Sequence, residues 1–261
     1  MYKVGIIGYA QMHVLHIAEM FCKSGRIEWV GIADIQPTQP HNGELIKNFT
    51  RADVEQKLLA ICGLTQAEAD AATLIDKRPD VMVVCVENSR HAEIACQVLS
   101  QGIPVVLEKP MAATLSDALR MVRCARLHRT DLITNWPIAW LPAFHHAARL
   151  AREGLLGDIY KVNYRNPASM GSIGFSDMTE AECSREWWYK SDSGGGAMLD
   201  YCGYGCLLTR WIIGARAQTA VGMRANLHSR FADVEDYSAM LLQFDTAVGN
   251  IEGSWSSLND G

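Results

Sequence analysis

Four strand-length apolar runs punctuate the first 130 residues: Val4–Ile7, Trp29–Ala33, Val81–Val86 and Pro104–Leu107. Each is continuous rather than alternating, which is the pattern of a strand covered on both faces. Between them lie stretches with helical spacing at Val54–Ile61, Ala92–Ser100 and Leu115–His128. Gly102 is a stop signal for the second, and Thr114 followed by Asp117 is a capping-box variant that opens the third. Strands alternating with helices fold as βαβ units around a parallel sheet, so this region is expected to be a doubly wound α/β domain. Residues 36–63 exceed a minimal crossover and are expected to include an irregular stretch that covers a site.

After residue 130 the texture changes. A helix is expected at Pro142–Arg152, ending at Gly154, then a strand at Ile159–Tyr164 and a Gly/Ser/Met-rich loop over 167–180. A long helix is predicted over 197–213. Alternating segments follow near Ala217–Leu227, Tyr237–Phe244 and Val248–Trp255, with Asp245–Ala247 as a hairpin turn. The division is therefore 1–130 and 131–261, the second part being an α/β (α+β) domain with an open, mostly antiparallel sheet. The chain stops just after a strand, and a half-made sheet edge is a liability. The expectation is a polypeptide truncated at its C-terminus.

Composition removes several function classes. Lys and Arg number 24 against 29 Asp and Glu, with no basic run, so neither nucleic acid nor an anionic membrane is an expected partner. The longest apolar runs are strand-sized, far below the ~18 residues of a membrane span. MYKVGIIGYA lacks the plan of a secretory signal. Eight cysteines occur without a C-x-x-C pair, and Cys85 and Cys96 sit inside apolar runs. That usage fits a reducing, cytoplasmic location. His145 and His146 have no Cys, Asp or Glu at ligand spacing, so no metal is expected.

Three stretches carry chemistry. In Gly5-Ile-Ile-Gly8-Tyr9-Ala10-Gln11-Met12-His13, Gly8 supplies the first glycine of G-x-G-x-x-G, while Ala10 and His13 replace the other two. Such a turn brings helix N-terminal amides to a pyrophosphate. Asp34, after the second strand, is suited to accept ribose hydroxyls and to repel a 2′-phosphate. The same residues also fit a flavodoxin-like or other α/β turn with Asp34 as a loop acid. In Val105-Val-Leu-Glu108-Lys109-Pro110-Met-Ala112, Lys109 stands at the carboxyl edge of the sheet, where it can support a substrate alkoxide or simply pair with Glu108. In Ser193-Gly194-Gly195-Gly196-Ala-Met-Leu-Asp200 and on to Tyr204 and Leu207, the spacings of four and three put the last three residues on one helix face. A phenol has an ordinary pKa near 10. Beside a lysine ammonium and an oxidised nicotinamide it falls, so Tyr204 can take the proton in alcohol oxidation. The alternative is that Asp200 is a satisfied polar residue, Tyr204 packs, and the glycines serve close packing.

Together these stretches resemble, over the whole chain, the glucose–fructose oxidoreductase/inositol dehydrogenase (Gfo/Idh/MocA) family of nicotinamide-dependent oxidoreductases. The likeness rests on Gly5–Gly8, Asp34, Asn88-Ser-Arg-His91, Glu108-Lys109-Pro110, Gly154-x-x-Gly157-x-Ile159 and Gly194–Asp200, in that order. It implies a Rossmann domain followed by the open-sheet domain. It also implies cofactor contacts from Gly8, Tyr9, Ala10, Gln11, Met12, Asp34, Asn88, His91, Glu108 and Lys109. Lys109, Asp200 and Tyr204 then form the catalytic set. NAD is favoured by Asp34, with NADP possible. The implied substrate is a small polyhydroxylated compound (a sugar, inositol, other polyol or keto form), and the assembly a homodimer or homotetramer through the second-domain sheet. Trp188 and Tyr189 are candidates to line the substrate pocket, with burial in packing as the equal alternative. Arg165 is a further candidate for polar substrate groups.

The departures are specific. Most members have His where this chain has Tyr204 and Asp where it has Leu207. A branch including glucose–fructose oxidoreductase and dimeric dihydrodiol dehydrogenase has Tyr at the first position as the proposed acid/base, and this chain resembles that branch. Glu87 stands where the family usually has Pro. Two other readings remain: an NADP-dependent reductase of carbonyls or trans-dihydrodiols, and a cofactor-sensing protein without turnover. Ala10, His13, Glu87 and Leu207 favour the sensor; Lys109, Asp200 and Tyr204 together oppose it. His13 and His16 are expected to pack or cap.

Overall fold

In the computed structural model, which describes residues 1–36, 50–167 and 179–257, the apolar runs become the strands of a parallel sheet. These are β1 (Tyr2–Ile7), β2 (Ile27–Ala33), β3 (Val81–Val84), β4 (Val105–Glu108) and β5 (Leu132–Asn135), in the order β2-β1-β3-β4-β5. Helices α1 (His13–Lys23), α2 (Arg51–Cys62), α3 (Ala71–Asp76), α4 (His91–Ser100) and α5 (Leu115–Leu127) connect them. Strand side chains alternate between two buried clusters. Val4, Ile6, Ile32, Val83 and Cys85 pack with Val14, Ala18, Val54 and Leu58 of α1 and α2. Ile7, Met82, Val84, Val105 and Leu107 pack with Leu74, Ile94, Val98 and Met121 of α3, α4 and α5. Both faces are covered, as continuous apolar strands require.

Beyond the outer edge of β2, the Glu68 amide donates to the Ile32 carbonyl at 2.8 Å. Residue 68 therefore lies where the third strand of a six-stranded dinucleotide-binding order would run. The side chain of Thr114 accepts from the Asp117 amide, as the sequence suggests, and Thr50 with Asp53 forms a complete capping box at α2. Two elements escape the pattern. β5 is only four residues long, and Ile133 on it is exposed, so no apolar run marks it. It pairs with β4 from Val105↔Leu132 to Glu108↔Asn135, which carries the first sheet past the expected division at 130. α3 is a helix of six residues, too short for a visible period. The strand expected to reach Val86 ends at Val84, because the Cys85 carbonyl turns to accept from the Ala10 amide.

The residues group into two compact units. The first comprises Met1–Asn135 with Arg185–Trp188 and Asp192–Gly194, and the rest of the described chain from Trp136 onward forms the second. The second holds α6 (Pro142–Arg152), the short α7 (Glu180–Cys183), α8 (Gly203–Ile213) and four strands. These strands, β6 (Lys161–Pro167), β7 (Thr219–Ala225), β8 (Tyr237–Gln243) and β9 (Val248–Ser254), are ordered β6-β9-β8-β7. β7–β8 and β8–β9 are antiparallel, whereas β6 runs parallel to β9. That pairing, Lys161↔Val248 through Pro167↔Ser254, moves β6 two residues beyond the start expected at Ile159. α8 lies directly on this sheet. A Cβ at Gly205 would stand 2.5 Å from Ile251 Cγ2 and 2.6 Å from Tyr164 Cδ1, so only glycine permits the approach.

The helix predicted over 197–213 is interrupted at its start by a π turn, Met198–Cys202. Asp200 belongs to that turn and Tyr204 to α8, so the 3.6-residue spacing does not relate them. Among the described residues all eight cysteines are free, and no helix is long and apolar enough to cross a membrane. Residues 37–49 and 168–178, which include most of the expected site-covering stretch and the Gly/Ser/Met-rich loop, lie outside the described residues, as do 258–261.

Met121 is completely buried between α5 and the sheet. Met121→Ala is expected to cost about 2–5 kcal/mol, read as a lowered urea midpoint with an unchanged slope.

Candidate functional site

The order of the first sheet reverses at β1, whose neighbours are β2 and β3, and the connecting chains leave on opposite faces. Open α/β sheets bind ligands outside the carboxyl ends of the strands at such a point. There Gly8 has φ +96°, and a Cβ on it would lie 2.5 Å from Val86 Cγ1 and 2.6 Å from the Cys85 carbonyl oxygen. Neither the conformation nor the space admits a side chain. The Gly8 amide donates to Ala33 and the Ala10 amide to Cys85, at 2.8 and 3.0 Å, which ties the turn to β2 and β3. α1 begins immediately afterwards, and Met12 offers its first turn no side-chain cap. Within that turn the Val14 and Leu15 amides donate to the Gln11 and Met12 carbonyls at 3.2 and 3.1 Å. Gln11 is buried, with its carbonyl accepting from the Cys85 thiol.

Asp34, just past β2, accepts from the Tyr9 and Ile35 amides at 3.3 and 2.9 Å. It also receives Arg51 Nη1, which lies 2.6 Å from both carboxylate oxygens. The other fork of Arg51 donates to Glu87 Oε1 at 2.5 Å. Glu87 is 1% exposed, and Arg51 is its ion-pair partner. Burial opposes the Arg51 charge, and Asp34 and Glu87 more than offset it, so the guanidinium is held more firmly protonated than usual. Arg51 carries no motif signature; only its place at the start of α2 brings it here.

At the end of β4, Glu108 is fully buried between two donors. His13 Nδ1 lies 2.8 Å from Oε1, and Asn135 Nδ2 donates to Oε2 at 2.9 Å. His13 thus joins the site rather than merely packing, while His16 is exposed. Lys109 is 3% exposed, and the peptide to Pro110 is cis. His91 is completely buried, with Nε2 3.1 Å from the Val86 carbonyl and Nδ1 3.0 Å from that of Pro110. Burial lowers its pKa despite those carbonyls. The ring thereby links the Glu-Lys-Pro segment to the chain just after β3. Asn88 donates to the Gly194 carbonyl at 2.7 Å. A Cβ on Gly194 would come within 2.6 Å of Ala113 Cβ and 2.9 Å of Asn88 Cβ, so close packing accounts for this glycine. Trp188 stacks on Trp187 at 4.2 Å, and the Trp187 indole donates to the Ala10 carbonyl at 3.3 Å.

In the second unit, Asp200 Oδ2 accepts from the Trp255 indole at 3.0 Å. Tyr204 is buried with its ring edge-on to Trp136, centroids 5.2 Å apart. Tyr164 and Tyr201 complete a group of phenols around Asp200. Burial first, then the neighbouring tyrosines and Asp200, pushes both phenols above the ordinary range. Tyr189 packs edge-on against Trp255 and Phe231 at 5.8 and 5.0 Å. Arg165 is ion-paired across the sheet with Glu252 at 3.3 Å, and Leu207 is half-buried. Trp136 and Trp255 carry no signal in the sequence beyond being aromatic.

The residues of the first unit fit a dinucleotide. The turn is one a Cβ would fill, α1 is uncapped, and Glu87 Oε2 and Asn88 Oδ1 are buried with no partner among the described residues. Gly8, Tyr9, Gln11 and Met12 would hold its pyrophosphate, and Asp34 the adenosine ribose.

Two family models match the chain. Residues 2–135 match an oxidoreductase family with an NAD-binding Rossmann fold, and residues 144–260 match the GFO/IDH/MocA C-terminal domain. D-glucoside 3-dehydrogenase of Escherichia coli K12 is 27% identical over 206 residues, covering 76% of this chain and 50% of that protein. Inositol 2-dehydrogenase of Ralstonia nicotianae is 28% identical over 133 residues, covering 50% of this chain and 35% of that protein. The chain thus spans half or less of the length of these relatives. GenD2 from gentamicin A biosynthesis, crystallised with NAD, superposes with a TM-score of 0.78 at 22% identity, covering 99% of this chain and 67% of that one.

Gly8→Ala forces a positive φ and a steric overlap on the turn. It is expected to destabilise the protein by about 1–3 kcal/mol, seen as a lowered Tm.

Proposed function

As the chain belongs to the Gfo/Idh/MocA oxidoreductase family, we propose that it works as an NAD(P)-dependent oxidoreductase on the CH–OH groups of a sugar, inositol or other polyol, or on the keto form. The observation that carries this reading is the switch point of the first sheet, where the Gly8 turn, uncapped α1 and Asp34 meet. The first domain would hold the dinucleotide and the second the substrate.

When bound, the nicotinamide supplies the hydride acceptor or donor. Lys109 donates to the substrate hydroxyl oxygen and stabilises the alkoxide charge that develops there. Tyr204 takes the hydroxyl proton in oxidation and returns it in reduction. The T-shaped contact with Trp136 holds its ring in one orientation. Asp200 is a positioning residue, itself fixed by the Trp255 indole. Trp188 and Tyr189 are assigned to the substrate side. Arg165 is assigned there less directly, since its fork already meets Glu252.

The exposed apolar side chains Val221 and Met223 of β7 and Leu241 of β8 support a homo-oligomer formed through the second sheet. The free cysteines support a cytoplasmic location.

Tyr204→Phe keeps the ring against Trp136 and removes only the hydroxyl. Turnover on a responsive polyol is expected to fall about 10²–10⁴-fold while NADH still binds, measured by steady-state kinetics beside a binding titration. Turnover close to wild type would take Tyr204 out of the mechanism.

A further inference from the structure

The Asp34 carboxylate is already engaged by a guanidinium and two backbone amides, with acceptor room left on Oδ2. An ionised carboxylate offers about four lone-pair sites. Here Oδ1 receives the Tyr9 amide, the Ile35 amide and Arg51 Nη1, and Oδ2 receives Arg51 Nη1 again. The acid that would select a ribose diol over a 2′-phosphate is therefore neutralised by a guanidinium. That guanidinium is only 11% exposed and is shared with Glu87, which is 1% exposed. A second guanidinium reaches the same strand end, with Arg90 Nη1 donating to the Gln36 carbonyl at 3.2 Å.

We propose that Arg51, divided between Asp34 and Glu87, is the residue that sets the dinucleotide preference. It cancels the exclusion of a 2′-phosphate that Asp34 alone would impose, so the chain takes NADPH as well as NADH. This inference rests on the dinucleotide-binding reading above. The Asp34–Arg51–Glu87 group, two carboxylates and one guanidinium, carries one net negative charge, while the Arg90 guanidinium is paired with Glu93. A 2′-phosphate brings about two more, whereas a diol brings none. Replacing Arg51 by a neutral residue deepens the negative charge, and replacing Glu87 by a neutral residue removes it. The two substitutions should therefore move the preference in opposite directions. Glu87 acts through Arg51 and so is a positioning residue.

The test is a pair of calorimetric titrations, with NADH and with NADPH, at one fixed ionic strength because screening changes both. They are run on the whole chain and on its Arg51→Gln and Glu87→Gln variants, each checked for a cooperative thermal transition. The ratio of the NADPH to the NADH Kd is the readout. The wild-type ratio is expected within about tenfold of unity; Arg51→Gln should raise it, and Glu87→Gln lower it, each by about fivefold or more. A wild-type ratio above that range, or variants that shift it by less, overturns the proposal while leaving dinucleotide binding intact. Should Arg51→Gln fail to fold, the direction of the Glu87→Gln shift decides alone. Binding of neither nucleotide to the folded wild-type chain overturns the dinucleotide reading itself, and this inference with it.

Discussion

A parallel sheet covered by helices on both faces leaves polar chemistry only one place to gather, the carboxyl ends of its strands. The first unit follows that constraint strand by strand. Asp34 stands just beyond β2, Glu87 just beyond β3, Glu108 at the end of β4 and Asn135 at the end of β5. None of these groups fits within the two apolar clusters, where an unpaired carboxylate would cost several kcal/mol. The edge is consequently acidic, and the surrounding elements supply its counter-groups. α2 contributes Arg51, and α1 contributes His13. The same helix ends that close the sheet therefore also supply hydrogen-bond partners for its carboxylates.

His91 and Gly194 support the same edge through its packing. Glu108 and Lys109 sit at the strand end that the proposed mechanism uses, and their position depends on the segment through Pro110 and Met111. His91 spans from the Val86 carbonyl to the Pro110 carbonyl, which fixes the end of β3 relative to that segment. Asn88 and Gly194 continue the same seam, one by a hydrogen bond and the other by having no side chain. Rigid supports of this kind keep reacting groups within the small tolerance that catalysis demands.

What the chain reveals in its sequence is what local rules encode. Continuous apolar runs and caps announced β1 to β4 and α5, because burial on two faces and Thr114–Asp117 capping are properties of neighbouring residues. β5 and α3 were invisible because they are short and are held by the sheet rather than by their own pattern. The parallel β6–β9 pairing could not be read either, since strand register is a long-range choice. At the site, Gly8, Asp34 and Glu108 were legible from position along strands. Arg51, Trp136 and Trp255 were not: each reaches its partner across many residues, and no spacing rule spans such a distance. The π turn at 198–202 replaces the ideal helix on which the placing of Asp200 and Tyr204 on a common face rested.

The irregular glycine motif now has a physical account. Of its three small-residue positions only Gly8 is sterically compelled, by the Cys85 carbonyl and Val86. Ala10 serves as a backbone donor to Cys85, a bond that any residue except proline can make. His13, where a small residue is usual, meets the buried carboxylate of Glu108, so its bulk is matched by an interaction. Glu87 is likewise paired, with Arg51. Three of the four departures that pointed toward a sensor without turnover are thus compensated substitutions within an intact strand-end site. Leu207 is the exception, half-buried on α8 and offering no polar atom in place of a carboxylate.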